Sequence, residues 1–383
     1  MKPDPFRQAR ERDGILVCPF QGENVPMVLD YRDLRQVTQD WNTFSSDAPF
    51  RVPIPSEEED RTVRQLPIER DPPLHTDYRK LVEKWFKRPR LPEYQERLRQ
   101  LVDDLLDQAV QQQTVEAVSD IALTLQSRAL TVLLNMPESE ADLWISWGTH
   151  VFHSADGVNN GAELEAYLNR QFDRAETEGG DDFFAVLSAC EFDGRSLTRE
   201  EKLGFGNLAF AGGRDTVINS ITEVLAFLAR EPVEWERLRQ EPKLRTPAAE
   251  ELFRWISPIT HIGRVCPHGA EIRGHDVPPN GRVSLNWAAA NRDPGIFDQP
   301  DEIRIDRMPN PHVAFGSGPH ACLGATHARA LIRCLLDGLC DRALSLEVLE
   351  ETPRVEQEGS YQRENGHNRL LLQVGSSDSM VQD

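Results

Sequence analysis

Cys322 stands in the run "FGSGPHACLG", residues 315 to 324, with Gly316 and Gly318 ahead of it, His320 two residues upstream and Gly324 two residues downstream. A cysteine at the start of a helix sits where free N–H groups and the helix dipole stabilise its thiolate, the form that ligates metals. Two other chemistries share these letters. Gly316 to Ala321 fits G-x-G-x-x-A, the outline of a dinucleotide-binding turn. His312, His320, Cys322 and His327 could also gather as a zinc site, although their spacing matches no common zinc pattern. The nucleotide reading needs a hydrophobic strand leading into the turn. Here the preceding residues are "MPNPHVAF", and Pro319 lies inside the motif. Another stretch with the same outline, "GFGNLA" from Gly204 to Ala209, falls within a helical pattern and fails the same requirement. The plain alternative for Cys322 is a buried, inert thiol.

Three further groupings could do chemistry or brace it. "FAGGRDTVIN" places Gly212 and Gly213 next to Arg214, Asp215 and Thr216. Two adjacent glycines inside a helix cost about 1 kcal/mol each against alanine, so their retention points to use of the opening. The plain reading of Thr216 is a hydroxyl bonded back to its own helix. Glu251 and Arg254 stand at i, i+3 on one helix face, and His75 and Arg79 at i, i+4 on another.

The elements that must hold these residues are mostly helices. Leu98, Leu101, Val102, Leu105, Leu106, Ala109 and Val110 repeat at helical spacing, and 118–135, 164–176 and 181–190 behave alike. Thr198 and Glu201 predict a capping box for one unbroken helix over 199–230, stopped by Pro232. Thr246 is expected as N-cap of the next helix, with Pro247 at its first position. "GILVCPF" and "NVPMVLD" predict a hairpin near the N-terminus. After 257 come short strands, a Pro-, Asn- and Asp-rich meander over 291–312, a helix over 323–339 and two weak strands. The expectation is one mainly α chain with small β-sheets, an α+β domain over 1–383 with a disordered tail at about 375–383.

Bulk properties narrow the function. The chain carries 43 basic and 63 acidic side chains, a net charge of −20, which argues against a nucleic-acid backbone or an anionic membrane as main partner. Its six cysteines include no C-x-x-C pair, so a disulfide framework is not expected. No apolar run reads as a membrane span, and "MKPDPFRQARERDG" lacks the apolar core of a signal peptide. The chain reads as cytoplasmic.

"FGSGPHACLG" fits F-x-x-G-x-H-x-C-x-G and resembles the haem-binding signature of the cytochrome P450 superfamily. The other groupings fall in the order that family requires, and the resemblance spans about residues 20 to 375. It implies a P450 fold with a long central helix crossing the haem, and Cys322 as thiolate ligand of haem b iron. Phe315, Gly318 and Gly324 would pack against that ligand and cofactor. Gly212, Gly213, Asp215 and Thr216 resemble the oxygen-binding stretch, with Thr216 and Asp215 relaying protons. His75, Arg79, Arg264 and His320 would clamp the haem propionates. Glu251 and Arg254 would be scaffold, tied to Arg307 from "IDRMP".

The resemblance also implies a monooxygenase that inserts one atom of O2 into a small organic substrate. "FSSDAPF" and "LPIERDPP" are similar to the soluble bacterial, camphor-hydroxylating type, fed by a ferredoxin and reductase that spend NAD(P)H. Arg79, Lys80, Lys84, Lys87, Arg88 and Arg90, against Glu83, form a candidate docking patch for that ferredoxin; a solvated helix face is the plain reading. By family position Ile68, Thr260, Ile262, Arg363, Glu364 and Asn365 would face the substrate. Arg214 departs from the camphor type and leaves open a peroxide-driven peroxygenase. A haem-based sensor is a third possibility.

Overall fold

The computed structural model describes residues 2–59, 61–149 and 161–376. Helices carry the bulk of the core, and four small sheets flank them. The N-terminal hairpin pairs Ile15–Phe20 with Glu23–Val28 in antiparallel register, Ile15 opposite Val28. Glu23–Val28 then runs parallel to Gly281–Asn286, which pairs antiparallel with His261–Cys266 and closes a four-stranded sheet. The terminal strands, Leu344–Glu358 and Tyr361–Ser376, are 15 and 16 residues long, not the weak strands expected. Ser345 faces Gly375 and Leu344 faces Ser376 in their register, so the first two residues of the expected tail are in a strand; the others, 377–383, lie outside the described residues.

The main core gathers around Pro92–Gln112, Thr124–Leu134 and the central helices. In Pro92–Gln112 the apolar stripe Leu98, Leu101, Val102, Leu105, Leu106 and Ala109 is buried as its spacing requires. The segment expected over 118–135 divides into a π-type turn at Ala117–Leu123 and the helix Thr124–Leu134. Contrary to expectation, the 18 residues Ala117–Leu134 are long and apolar enough to span a bilayer, but 78% of that stretch is buried inside the protein, as in a core helix.

Two helix boundaries also depart from expectation. The 199–230 helix starts with the expected capping box, Thr198 Oγ1 accepting from the Glu201 N–H at 3.2 Å, but breaks in its middle. Arg199–Gly213 and Asp215–Arg230 meet at Arg214, whose φ of −104° and ψ of −78° stay in the right-handed region but stand well off the regular helix values. Thr246 is no cap: a 3₁₀ turn at Pro242–Leu244 feeds straight into Arg245–Ile256, and the Thr246 hydroxyl instead meets Arg333.

Candidate functional site

The Cys322 loop is built by its own backbone. Gly316 N–H donates to Val313 C=O at 2.9 Å, Ala321 N–H to Gly318 C=O at 3.1 Å and Cys322 N–H to Phe315 C=O at 2.7 Å. No strand precedes it, which removes the dinucleotide reading, and the helix Ala325–Asp341 follows. Gly318 is required by the loop itself: its φ is +72°, and a Cβ there would lie 2.5 Å from the Thr38 carbonyl oxygen. Gly324 by contrast faces Cys322, a Cβ built there standing 3.9 Å from Sγ. The "GFGNLA" stretch is a matter of packing as well, since a Cβ at Gly204 would strike the Arg64 carbonyl oxygen at 2.5 Å.

Cys322 has an unusual setting. Its side chain is exposed, yet burial is the largest influence on its thiol and pushes the pKa up. Both hold if the sulfur lies deep in the protein and looks into open space inside it. Opposing that burial are the N–H groups of Gly324 and Ala325, with the charges of Arg79 and Arg329, all of which favour a thiolate. Phe315 packs edge-on against Phe253 with ring centres 4.8 Å apart. Arg329 lies 4.3 Å over the Phe315 ring, held by Glu250 at 2.7 and 2.8 Å.

The zinc alternative does not assemble. Among the described residues no three metal-binding side chains converge. His312 bonds Glu250 at 3.0 Å, and His327 meets the Tyr94 hydroxyl at 2.7 Å.

Beside the cysteine the structure gathers the expected basic cluster. The His75 and His320 rings lie 4.2 Å apart. Arg79 donates to the Ala321 carbonyl at 2.8 Å, and Arg264, 4% exposed, to the Gly263 carbonyl at 2.7 Å. Neither arginine has a carboxylate within ion-pair distance among the described residues. His75 Nδ1 and both ring nitrogens of His320 are buried without a hydrogen-bond partner. Burial, and then the charges of Arg79 and Arg264, push His75 down to about 4; burial drives His320 lower still, and Arg264 to about 10. Four basic groups that burial makes hard to charge are an incomplete set, and an anion completes it.

On the central helix, Gly212 is exposed, and Ala211, Gly213, Asp215 and Thr216 around it are half-buried. A Cβ at Gly212 would find only Leu208, at 3.7 Å, so packing does not demand a glycine there. Thr216 Oγ1 donates to the Gly212 carbonyl at 3.2 Å. Gln126, which sequence reasoning missed, donates to the Gly213 carbonyl at 3.0 Å. Its one visible signal was a polar residue inside the apolar run "IALTLQSRALTVLL". Arg214 is fully buried, with Nε donating to the Gly148 carbonyl at 3.0 Å and Nη2 to Trp144 and Gly148. Its guanidinium is spent on backbone carbonyls, which removes the observation behind the peroxygenase alternative.

The scaffold expectation is met in full. Arg254 donates to Glu251 at 2.7 and 2.8 Å, Arg307 to the same carboxylate at 3.0 and 2.9 Å, and Asn310 adds a bond at 3.1 Å. The polar ones among the expected substrate residues are engaged within the protein. Arg363 donates to Thr260 Oγ1 at 2.7 Å and to the Ser257 carbonyl at 3.1 Å, while Asn365 accepts from Asn219 at 2.8 Å. Ile68 and Ile262 are half-buried. A polar pair went unnoticed in the sequence: Gln65 donates to Asn207 of the central helix at 2.8 Å. The basic patch is thinner than its sequence. Lys80 pairs with Asp77 and Lys87 with Glu83, Arg88 lies over Trp85, and Arg79 turns inward. Lys84 and Arg90 remain exposed without an ion pair among the described residues.

This donor set fits a thiolate-ligated porphyrin bearing carboxylates: a cysteine facing interior space, a basic cluster lacking its anion, and an open, glycine-lined helix. Comparison with known proteins agrees. The family model "Cytochrome P450" matches residues 168–340. Nocardicin C N-oxygenase of Nocardia uniformis subsp. tsuyamanensis is 30% identical over 84% of this chain and 82% of its own. Linalool 8-monooxygenase of Pseudomonas putida is 28% identical over 75% and 73%. A solved structure described as a carbohydrate-active P450 is 45% identical, covers 98% of both chains and superposes with a TM-score of 0.95.

Proposed function

Because the chain belongs to the cytochrome P450 superfamily and is an enzyme of its monooxygenase type, we propose that it oxygenates a small polar organic molecule, a carbohydrate, with electrons from an external ferredoxin. The observation that carries the site is Cys322, exposed to interior space at the bottom of a loop that aims two N–H groups at its sulfur.

Haem bound there supplies a redox-active iron at which O2 is reduced and one oxygen atom passes to a substrate C–H bond. The chain's residues do the rest. Cys322 gives up its proton on ligation, and Gly324 N–H, Ala325 N–H, Arg79 and Arg329 hold the resulting charge. His75, Arg79, Arg264 and His320 receive the two propionates, which satisfies the orphaned ring nitrogens and the unpaired guanidinium groups at once. Gly212 and Gly213, which carry no side chain, would leave room for O2 beside the bound group. Thr216 Oγ1, parked on the Gly212 carbonyl, would turn to donate its proton, and Asp215 would return one taken up from solvent.

The carbohydrate assignment leans on the carbohydrate-active relative and on Gln65, which donates to Asn207 of the central helix, amides of the kind suited to hydroxyl groups. Arg363 holds Thr260 directly, and Asn365 bonds the Pro258 carbonyl and Glu356, the carboxylate that also accepts from Thr260. NAD(P)H is spent by separate reductases in the cytoplasm, and the ferredoxin docks around Lys84 and Arg90. Charge reversal at these two should raise the ferredoxin KM without moving the Soret band.

A titration of the haem-loaded protein with mono- and disaccharides, alongside aromatics, terpenoids and fatty acids, tests the substrate. We expect a saturable Soret shift from a sugar and oxygenated product once NADH, reductase and ferredoxin are added. Shifts confined to terpenoids or fatty acids would overturn the carbohydrate. A sugar shift with no product under any redox pair would favour a sensor.

A further inference from the structure

The break at Arg214 is held from two sides. Arg214 lies between two helices whose ladder restarts at its own carbonyl, which accepts from Val217 N–H at 3.1 Å and Ile218 N–H at 3.0 Å. Its guanidinium crosses to the C-terminal end of the helix Glu140–Ser146 and donates to the Trp144 and Gly148 carbonyls there, where a cation is favoured by the helix dipole. On the other side Gln126, 1% exposed, reaches from Thr124–Leu134 to the Gly213 carbonyl. Ser127 donates to the Gln126 Oε1 at 3.3 Å and so steadies the amide.

These bonds cost something to keep. Arg214 is fully buried, Nη1 has no hydrogen-bond partner among the described residues, and the guanidinium bonds backbone carbonyls, with only the charge of the adjacent Asp215 favouring its protonated form. A hydrophobic residue of similar length would avoid that desolvation. Desolvation accepted beside a reacting residue points to a positioning role, and the residue it adjoins is Thr216, two positions on.

We propose that Arg214 and Gln126 are positioning residues that hold the central helix open at 213–215, and thereby set the Thr216 hydroxyl on the Gly212 carbonyl. The inference rests on the reading of Thr216 as the hydroxyl that faces the iron. Without Arg214 the peptide at 214 is free to rejoin the ladder, which rotates Thr216 about the helix axis. Without Gln126 the Gly213 carbonyl seeks a new donor from the following turn, with the same result.

Two measurements separate the inference from the reading beneath it. Amide hydrogen exchange at Val217 and Ile218, compared with Leu225 further along the same helix, reads the break itself. In Arg214→Met and Gln126→Leu we expect exchange at these two amides to change by about tenfold or more while Leu225 is unmoved. The infrared stretch of carbon monoxide on the reduced, haem-loaded protein reads the polar groups facing the iron. We expect both variants to shift or split that band as Thr216→Val does, and Arg214→Lys to recover part of the wild-type band. Arg245→Met is the control. It removes a buried arginine that bonds the Leu238 carbonyl, Asp337 and Asp341, so it should lower thermal stability and leave both readouts as wild type. Wild-type exchange at Val217 and Ile218 in Gln126→Leu overturns the proposal, even should Arg214→Met fail to fold. A band that Thr216→Val does not move overturns the reading of Thr216 instead, and exchange alone then decides whether the break is held.

Discussion

Two buried clusters of arginines lie on either side of the Cys322 loop, and they are opposites. Around Glu251 every charge is answered: Arg254 and Arg307 both grip its carboxylate, and their remaining N–H groups donate to the carbonyls of Asn291, Pro300, Asp298, Gln299 and Glu302. Around Arg264 no carboxylate stands within ion-pair distance among the described residues, and only the more distant charge of Asp71 works against its burial. Arg79, His75 and His320 add basic groups to it, burial depresses all of them, and two ring systems keep unpartnered nitrogens. A cluster complete in the protein alone is scaffold. A cluster that is incomplete by its acids is a binding site for an anion, and this is the physical ground for placing the propionates there.

The largest effect separating the two should come from removing the carboxylate of the complete one. Glu251→Gln leaves Arg254 and Arg307 buried without an opposing charge, which costs about 3–5 kcal/mol, a large part of a domain's stability. Little folded protein should be recovered, whether or not haem is supplied. A variant that unfolds at the wild-type urea midpoint would show that the pair is not the brace described.

The opposite sign is expected at the incomplete cluster. Arg264→Leu removes a buried, unpaired guanidinium, so the haem-free protein should be unchanged or more stable, by about 1–3 kcal/mol. Its haem affinity should fall about 10- to 100-fold, the worth of one or two charge-assisted hydrogen bonds. Urea unfolding of the haem-free form and haem transfer to apomyoglobin measure the two halves. A loss of stability without haem would make Arg264 scaffold too and erase the distinction.

The complete cluster was legible in the sequence and the incomplete one largely so, for a reason tied to range. Glu251 and Arg254 are one helical turn apart, and His75 and Arg79 likewise, so their faces follow from helix geometry. Arg307 and the Cys322 loop were reachable through residue identities at fixed spacing. Arg214 was not: its side chain is decided by carbonyls 66 and 70 residues away in sequence, on a helix whose packing no local pattern announces. Gln126 escaped for the same reason, its partner being 87 residues off. Thr246 misled because a cap residue was present, while the 3₁₀ turn at Pro242–Leu244 had already set the helix start. The approach of Thr38 to Gly318, which by itself demands a glycine there, was equally out of reach of the sequence.

The smallest effect is a difference in pH slope, and it tests the comparison without any mutation. His75, His261 and His327 are each lowered from 6.5 to about 4, burial being the first cause in all three. Between about pH 6.5 and 4 the unfolded chain therefore binds protons that the native state refuses. Stability that is fully present above 6.5 is lost as pH falls through that window. Haem changes the balance at His75 alone of these three, because a propionate beside it favours the charged ring and raises its native pKa toward the unfolded value. His261 and His327 lie outside the cluster and keep their contribution; His327 is paired with Tyr94 and His261 stands 3.9 Å from Glu356. His320, depressed in the same cluster, should follow His75. Urea midpoints of the haem-free and haem-loaded protein at pH 7, 5.5 and 4.5 should therefore diverge, the haem-free form losing stability more steeply. Parallel slopes would mean that no carboxylate arrives beside His75 and His320, and the anion missing from the incomplete cluster would have to be something other than a propionate.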